Sequence, residues 1–261
     1  MTRLATAIMF LTRIPIPGKW NVGASEVGRS AVFFPLVGSG IGGCQWLLLQ
    51  ILLGLSALIG KYQPHPVAVP ASVSAILIIA LGAWLTGALH LDGLADMVDG
   101  FGGGHSREDV LRIMRDHSIG AFGAVALILV LGLKFASISF LIVQPRGSIY
   151  LILAPALARW TIVAIGFLLP YARSAEGGLG AAAAQITLTE LLGATVIAGT
   201  IAVLLARWHS VLFLLVSIAA SAANGWLCMR RIQGITGDTL GANTEICEAL
   251  ILATGCYLHG N

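Results

Sequence analysis

Charge is what this chain has least of. Only 10% of its 261 residues are charged, against about 25% in a soluble domain. With 57% hydrophobic residues and a mean hydropathy of +0.90, that scarcity excludes a water-soluble globular fold. Cysteine is also sparse: Cys44, Cys228, Cys247 and Cys256 form no C-x-x-C pair, so they read as small apolar helix residues rather than metal ligands. The six histidines show no H-x-x-x-H spacing, and no G-x-S-x-G elbow occurs, which argues against a hydrolase of that type. Internal repeats, low-complexity tracts and domain linkers are missing too. The net charge is only +3, and no nucleic-acid partner is expected.

Long apolar runs are present instead. Ser30 to Gly60 and Trp208 to Met229 carry no formal charge, and roughly 20 apolar residues suffice for a helix to cross a bilayer core. The expected fold is all-α, a polytopic transmembrane bundle of about seven spans near 30–60, 68–91, 119–143, 148–170, 186–206, 209–229 and 242–258. The first is longer than one crossing needs, so Pro35 is expected to kink it or part of it to lie at the interface. Residues 1–261 read as one integral membrane catalytic domain, with 1–29 a cytoplasmic or interfacial segment and 92–118 a cytoplasmic loop and short helix. The apolar core of the first residues is short and runs into Arg13-Ile14-Pro15-Ile16-Pro17, unlike a cleaved signal peptide.

A cytoplasmic N-terminus puts Arg3, Arg13, Lys19, Arg29, Arg107, Arg112, Arg115, Arg173, Arg230 and Arg231 on the inside. Lys61, Arg146 and Arg207 then fall outside, as the positive-inside rule requires. All twelve acidic residues fall in or near segments on the same inner side. Acids contribute little to topology, so their crowding marks a working face.

That face is written in "HLDGLADMVDGFGGG", His90 to Gly104. Asp92, Asp96 and Asp99 stand at i, i+4 and i+7, one face of a helix. Three carboxylates so close repel one another unless a divalent cation lies among them, and Mg²⁺ is commonly held by one or two carboxylates plus phosphate oxygens. A solvated helix end with a glycine loop is the alternative. A second set lies in "GITGDTLGANTEICE", where Asp238 and Glu245 share a helical face. Two such faces would clamp one or two Mg²⁺ ions, an arrangement suited to in-line displacement at phosphorus. Glu248 is either a further member or a buried hydrogen-bonding residue.

Between the two sets, "SREDVLRIMRDHSIG" predicts a short helix with Ser106 as N-cap and Glu108 and Asp109 in its first turn. Arg107, Arg112 and Arg115 are candidates for phosphate binding, with an Arg112–Asp116 salt bridge as the alternative. Lys134 and Arg159 lie too deep in their spans to snorkel, so each must face the interior and meet a phosphate or a buried carboxylate. His90, His105 and His117 border the acidic stretch. Asp99 or Asp116 is the candidate general base.

These pieces resemble the cobalamin synthase family along almost the whole chain: "FLTRIPIP", "GRSAVFFPLVG", "GALHLDGLADMVDGF", "LRIMRDHSIGAFG", Lys134, Arg159, "EGGLG" and "GITGDTLGANTE". Two departures are His117 between Asp116 and Ser118, and the extra glycine after Glu176. The resemblance implies a multi-pass inner-membrane enzyme requiring Mg²⁺. It would join adenosylcobinamide-GDP to α-ribazole or its 5′-phosphate and release GMP. It points to Asp92, Asp96, Asp99, Asp238 and Glu245 as metal ligands. Two other classes use intramembrane or clustered acids. A CDP-alcohol-type lipid phosphotransferase would show D-G-x-x-A-R, but Asp96 stands where the arginine belongs. A cation-coupled transporter would spread its acids through the membrane.

Overall fold

The computed structural model describes residues 2–17, 23–61, 69–116, 118–173, 182 and 185–260. Lys19, His117 and the Glu176–Gly180 motif lie outside the described residues. Among the described residues the architecture is all-α, in the order α1 (Arg3–Leu11), α2 (Ala24–Ser30), α3 (Phe34–Gly60), α4 (Ala71–Thr86), α5 (Leu89–Gly103), α6 (Arg107–Ile113), α7 (Ala121–Leu141), α8 (Tyr150–Leu168), α9 (Leu188–Ala206), α10 (Ser210–Ile232) and α11 (Gly237–His259).

Four runs are long and apolar enough to cross a membrane: Ala24–Ile59, Ala121–Leu141, Gly147–Leu168 and Leu188–Ile232. A fifth counts if α4 and α5, bent by 89°, form one broken span. The surface agrees. Leu47, Ile51 and Leu58 of α3, Ile128 and Leu129 of α7, Val196 and Leu204 of α9 and Leu215 of α10 are all exposed. Apolar patches of that extent suit a lipid solvent, while Lys134, Arg159 and Glu245 are buried inside. The seven-span expectation is therefore met at the coarser level of four or five apolar crossings. α11 is long enough in residues but carries Asp238, Glu245 and Glu248. The run 188–232 turns back at Arg207, whose φ of 52° lies in the left-handed region. Leu191 and Leu192 near one end of that run and Trp226 and Met229 near the other consequently line one cavity.

Pro35 does not kink a span. It sits in the first turn of α3, where a missing N–H costs nothing, after the 3₁₀ turn Ala31–Phe33. The break lies upstream of it.

α8 is the axis, buried at almost every position from Tyr150 to Gly166. α3 lies against it backbone to backbone: a Cβ at Gly38 would stand 2.2 Å from the Pro155 carbonyl oxygen, and one at Gly42 2.2 Å from that of Leu151. Pro155, inside α8, has no N–H to give the Leu151 carbonyl, and that carbonyl is the one facing Gly42. The chain reverses from α4 to α5 through Gly87 at φ 66° and Ala88 at φ 59°, a conformation costly for Ala. The Arg13 amide donates to the Leu85 carbonyl at 2.7 Å, so the segment after α1 braces this corner. At the opposite end of the bundle, Tyr150 packs on Phe213 and His259, gathering the starts of α8 and α10 and the end of α11.

Gly42→Ala should therefore separate α3 from α8 and cost about 1–3 kcal/mol, the usual range for overpacking. Gly43→Ala, whose Cβ would meet nothing within 4 Å, should be neutral or slightly stabilising. Thermal unfolding of the two detergent-purified variants by size-exclusion fluorescence checks this; equal midpoints would refute the close-packing account.

Candidate functional site

The site is built where α5 crosses the start of α11. A Cβ at Gly93 would stand 2.7 Å from the Asp238 carbonyl oxygen, and one at Gly241 3.1 Å from the His90 Cα. At Gly93 only glycine permits that approach, and at Gly241 a side chain would crowd it. It brings Asp92 and Asp96 of α5 to Asp238, a convergence of the two acidic stretches across 142 residues of chain (238 − 96). Asp92 is exposed, and Asp96 and Asp238 are half-buried. Thr236 caps α11, accepting from the Thr239 amide, and its hydroxyl donates to Asp238 at 3.2 Å. The helix N-terminus adds a partial positive charge there.

The electrostatics follow. α5 lies at 89° to α4 and is not one of the four apolar spans. In it, Asp96 is pushed up to about 7 by burial first, then by the negative charges of Asp92, Asp238 and Asp99, with Arg173 opposing. A carboxylate raised by burial and acidic neighbours in this way gains most from a divalent cation. Among the described residues no group of three His, Cys, Asp or Glu side chains forms a ready-made metal cage. Carboxylate oxygens are nonetheless the donors that Mg²⁺ takes, and it keeps waters and phosphate oxygens rather than a full protein shell.

Asp99 is placed differently. Its two carboxylate oxygens accept from the amides of Gly120 at 2.7 Å and Gly123 at 2.8 Å. It caps α7 from 21 residues away, because the N-cap residue Gly120 has no side chain to do so. A Cβ at Gly123 would stand 2.3 Å from that carboxylate. Asp116, exposed after α6, accepts from the Ser118 amide at 3.1 Å.

Glu245, expected beside Asp238 as a ligand, instead meets Lys134. The Lys134 Nζ donates to Glu245 at 2.5 Å and to Glu248 at 2.6 Å, Arg159 pairs with Glu248, and Arg159 Nη2 reaches His90 Nδ1 at 3.3 Å. Of the two partners open to Lys134 and Arg159 in the sequence, the structure supplies carboxylates. Two cations and two anions close a neutral network among α7, α8 and α11, tied to α5 through His90.

The arginines of α6 are mostly committed to the fold. Arg107 donates to the carbonyls of Ile232 and Ala172 at 3.0 and 2.8 Å. Arg112 turns back to Asp109 rather than forward to Asp116; its hydrogen bond holds that half-buried carboxyl below the usual range, with the His105 amide adding to it. Arg115 is exposed. Ser106 caps α6 as expected, accepting from Asp109. The cation the sequence did not single out is Arg173. A parallel bridge joins Tyr171 to Ile235, and the Ala172 amide donates to the Ile235 carbonyl at 2.8 Å. This register carries Arg173 to 3.5 Å from Asp238. Its Nε and Nη2 are buried with no hydrogen-bond partner among the described residues, a donor pair suited to a phosphate oxygen. No local motif announces it; only the bridge does.

Fold and site together define a class: a multi-pass helical membrane protein with an acidic, phosphate-compatible site at one end of its bundle. The cobalamin-5-phosphate synthase family matches residues 3–256, and the chain belongs to that family. It is 41% identical over 253 residues to the adenosylcobinamide-GDP ribazoletransferase of Pseudomonas savastanoi pv. phaseolicola, covering 95% of this chain and 96% of that protein. The proteins of the same name from Syntrophobacter fumaroxidans and Prosthecochloris aestuarii are 36% and 34% identical. They are covered over 99% and 97% of their lengths, and this chain over 99% and 98%. No solved structure matches.

The buried network generates a test. Lys134→Met leaves two carboxylates sharing one cation, and breaking a buried pair costs about 3–5 kcal/mol. The variant should be recovered poorly as folded protein, and Lys134→Met with Glu245→Gln should restore much of the yield. A well-folded single variant that has lost only substrate affinity would assign Lys134 to phosphate instead.

Proposed function

We propose that this protein joins adenosylcobinamide-GDP to α-ribazole, or α-ribazole 5′-phosphate, forming adenosylcobalamin or its phosphate and releasing GMP. Family membership supplies the reaction class. The convergence of Asp92, Asp96 and Asp238 beside Arg173, which is ion-paired to Asp238 with its Nε and Nη2 making no hydrogen bond among the described residues, is the observation that supports placing it here. The ribazole hydroxyl oxygen forms a bond to the cobinamide-linked phosphorus, the bond from that phosphorus to the oxygen bridging to GMP breaks, and the hydroxyl proton passes to a carboxylate. Such reactions ask the protein mainly for positioning and charge neutralisation.

In this reading Asp92, Asp96 and Asp238 hold Mg²⁺, which when bound neutralises charge on the diphosphate. Arg173 binds a phosphate oxygen, with the exposed Arg112 and Arg115 meeting phosphates further out. Asp99 positions α7 against the site, and Asp116, exposed on the α6–α7 link, takes the hydroxyl proton. Lys134, Arg159 and Glu245 hold α5 and α11 in place from beneath. The membrane reading is of seven traverses, α3, α4, α7, α8, α9, α10 and α11, in the inner membrane. The N-terminus and acidic site face the cytoplasm, supported by the arginines clustered at that end and by the neutral pairing of α11 inside the bundle.

The deciding experiment supplies both substrates to protein reconstituted in lipid vesicles and measures GMP, with and without Mg²⁺. Asp92→Asn and Asp238→Asn should raise the Mg²⁺ requirement at least tenfold, partly rescued by excess metal. Asp116→Asn should lose about 10²–10⁴ in turnover at any Mg²⁺ level. Arg173→Met should weaken binding of the GDP substrate while leaving α-ribazole affinity intact. Near-normal activity in both Asp92→Asn and Asp238→Asn would reject this site.

The pH dependence has a definite sign. A proton on Asp96 competes with the cation, so with its pKa lifted to about 7 the Mg²⁺ concentration for half activity should rise as pH falls below 7. Asp96→Asn should flatten that rise. A requirement independent of pH between 6 and 8 in the unaltered protein would contradict it.

A further inference from the structure

An apolar cleft of about 260 Å³ opens beside the acidic residues. Met9 and Phe10 of α1, Phe34 of α3 and His90 of α5 wall it, and Asp92 and Asp238 also line it. Phe10 and Phe34 are stacked, ring centroids 5.6 Å apart and planes 16° from parallel. Two of the carboxylates proposed to hold the metal, Asp92 and Asp238, belong to its lining, yet most of that lining is apolar and aromatic and would contribute nothing to a diphosphate.

His90 carries the chemistry further. Its Nδ1 faces Arg159 Nη2 at 3.3 Å, and a guanidinium can only donate. Nδ1 is therefore the acceptor, and in the neutral ring Nε2 keeps the hydrogen. The buried network thereby fixes a hydrogen-bond donor on a side chain that lines an apolar cleft. Such a site suits a flat heteroaromatic ring with one acceptor nitrogen.

We infer that this cleft binds the benzimidazole base of the acceptor nucleoside, with its ribose directed toward Asp92 and Asp238; this rests on the ribazoletransferase reading above. Size separates the two substrates. Pockets that enclose drug-sized ligands run to about 300–1,000 Å³, so 260 Å³ accommodates a bicyclic ring but not a corrinoid, and its apolar wall suits the base rather than a guanosine diphosphate. The placement also brings the attacking hydroxyl to the carboxylate edge, where the diphosphate of the other substrate is held.

Equilibrium binding to the full chain in lipid nanodiscs tests this separately from turnover. Met9, half-buried on the wall, is replaced by tryptophan to fill the cleft. Met9→Trp should raise the Kd for α-ribazole at least tenfold and leave that for adenosylcobinamide-GDP within twofold. Unchanged α-ribazole affinity in folded Met9→Trp, or equal loss for both substrates, would overturn the assignment. A photoreactive azidobenzimidazole ribonucleoside on the unaltered protein gives a second measurement that does not depend on a variant folding. Crosslinks within 3–11, 24–34, 89–92 or 237–241 support the cleft, and crosslinks confined to segments that do not line it overturn it. Failure of the unaltered protein to release GMP, with α-ribazole still bound and crosslinked in the cleft, would instead reject the reaction and leave the base site standing.

Discussion

A chain solvated by lipid has no water with which to settle a buried charge, and the rest of this structure depends on how it settles four of them. Lys134, Arg159, Glu245 and Glu248 close into a neutral network inside the bundle. Each would be prohibitively costly alone and acceptable only when paired. The pairing draws α11, the least apolar of the long helices, against α7 and α8. Arg159 extends the network to His90 and so to α5. The platform that carries the acidic site is thus held from below by the charges that lipid will not accept.

Above that platform the chain does the opposite and accumulates charge of one sign. The close approach of α5 and α11, possible because Gly93 and Gly241 have no side chains, sets Asp92 and Asp96 against Asp238. The resulting upward push on Asp96 is a cost that a simple solvated helix end would not carry. Asp99, one turn further along, adds to this repulsion but has both its oxygens taken by two amides of α7. One helical face therefore contributes two kinds of carboxylate, one set open to a ligand and one built into the start of the next helix.

Much of the fold was legible in the sequence because the relevant rules are local. Apolar length marks a crossing, Ser106 announces the start of α6, and i, i+4, i+7 spacing places Asp92, Asp96 and Asp99 on one face. The same rules left open whether Pro35 kinks the first span or part of that run lies at the interface, because hydropathy does not see the 3₁₀ turn ahead of it. Depth in a span required Lys134 and Arg159 to have interior partners, but which partners they met depended on where α11 docked.

What the sequence by itself determined is the class: an all-helical membrane protein, with its acids crowded at one end and its motifs shared with the cobalamin-5-phosphate synthase family. Composition and periodicity are properties of short windows, and they carry that much without any knowledge of packing. Only the tertiary structure decided how the carboxylates divide, with Asp92, Asp96 and Asp238 at the site, Asp99 on α7 and Glu245 on Lys134. It alone brought Arg173 to Asp238, through a bridge between Tyr171 and Ile235. These assignments turn on contacts between residues tens to more than a hundred positions apart, where backbone approach and charge pairing, not local spacing, select the partner.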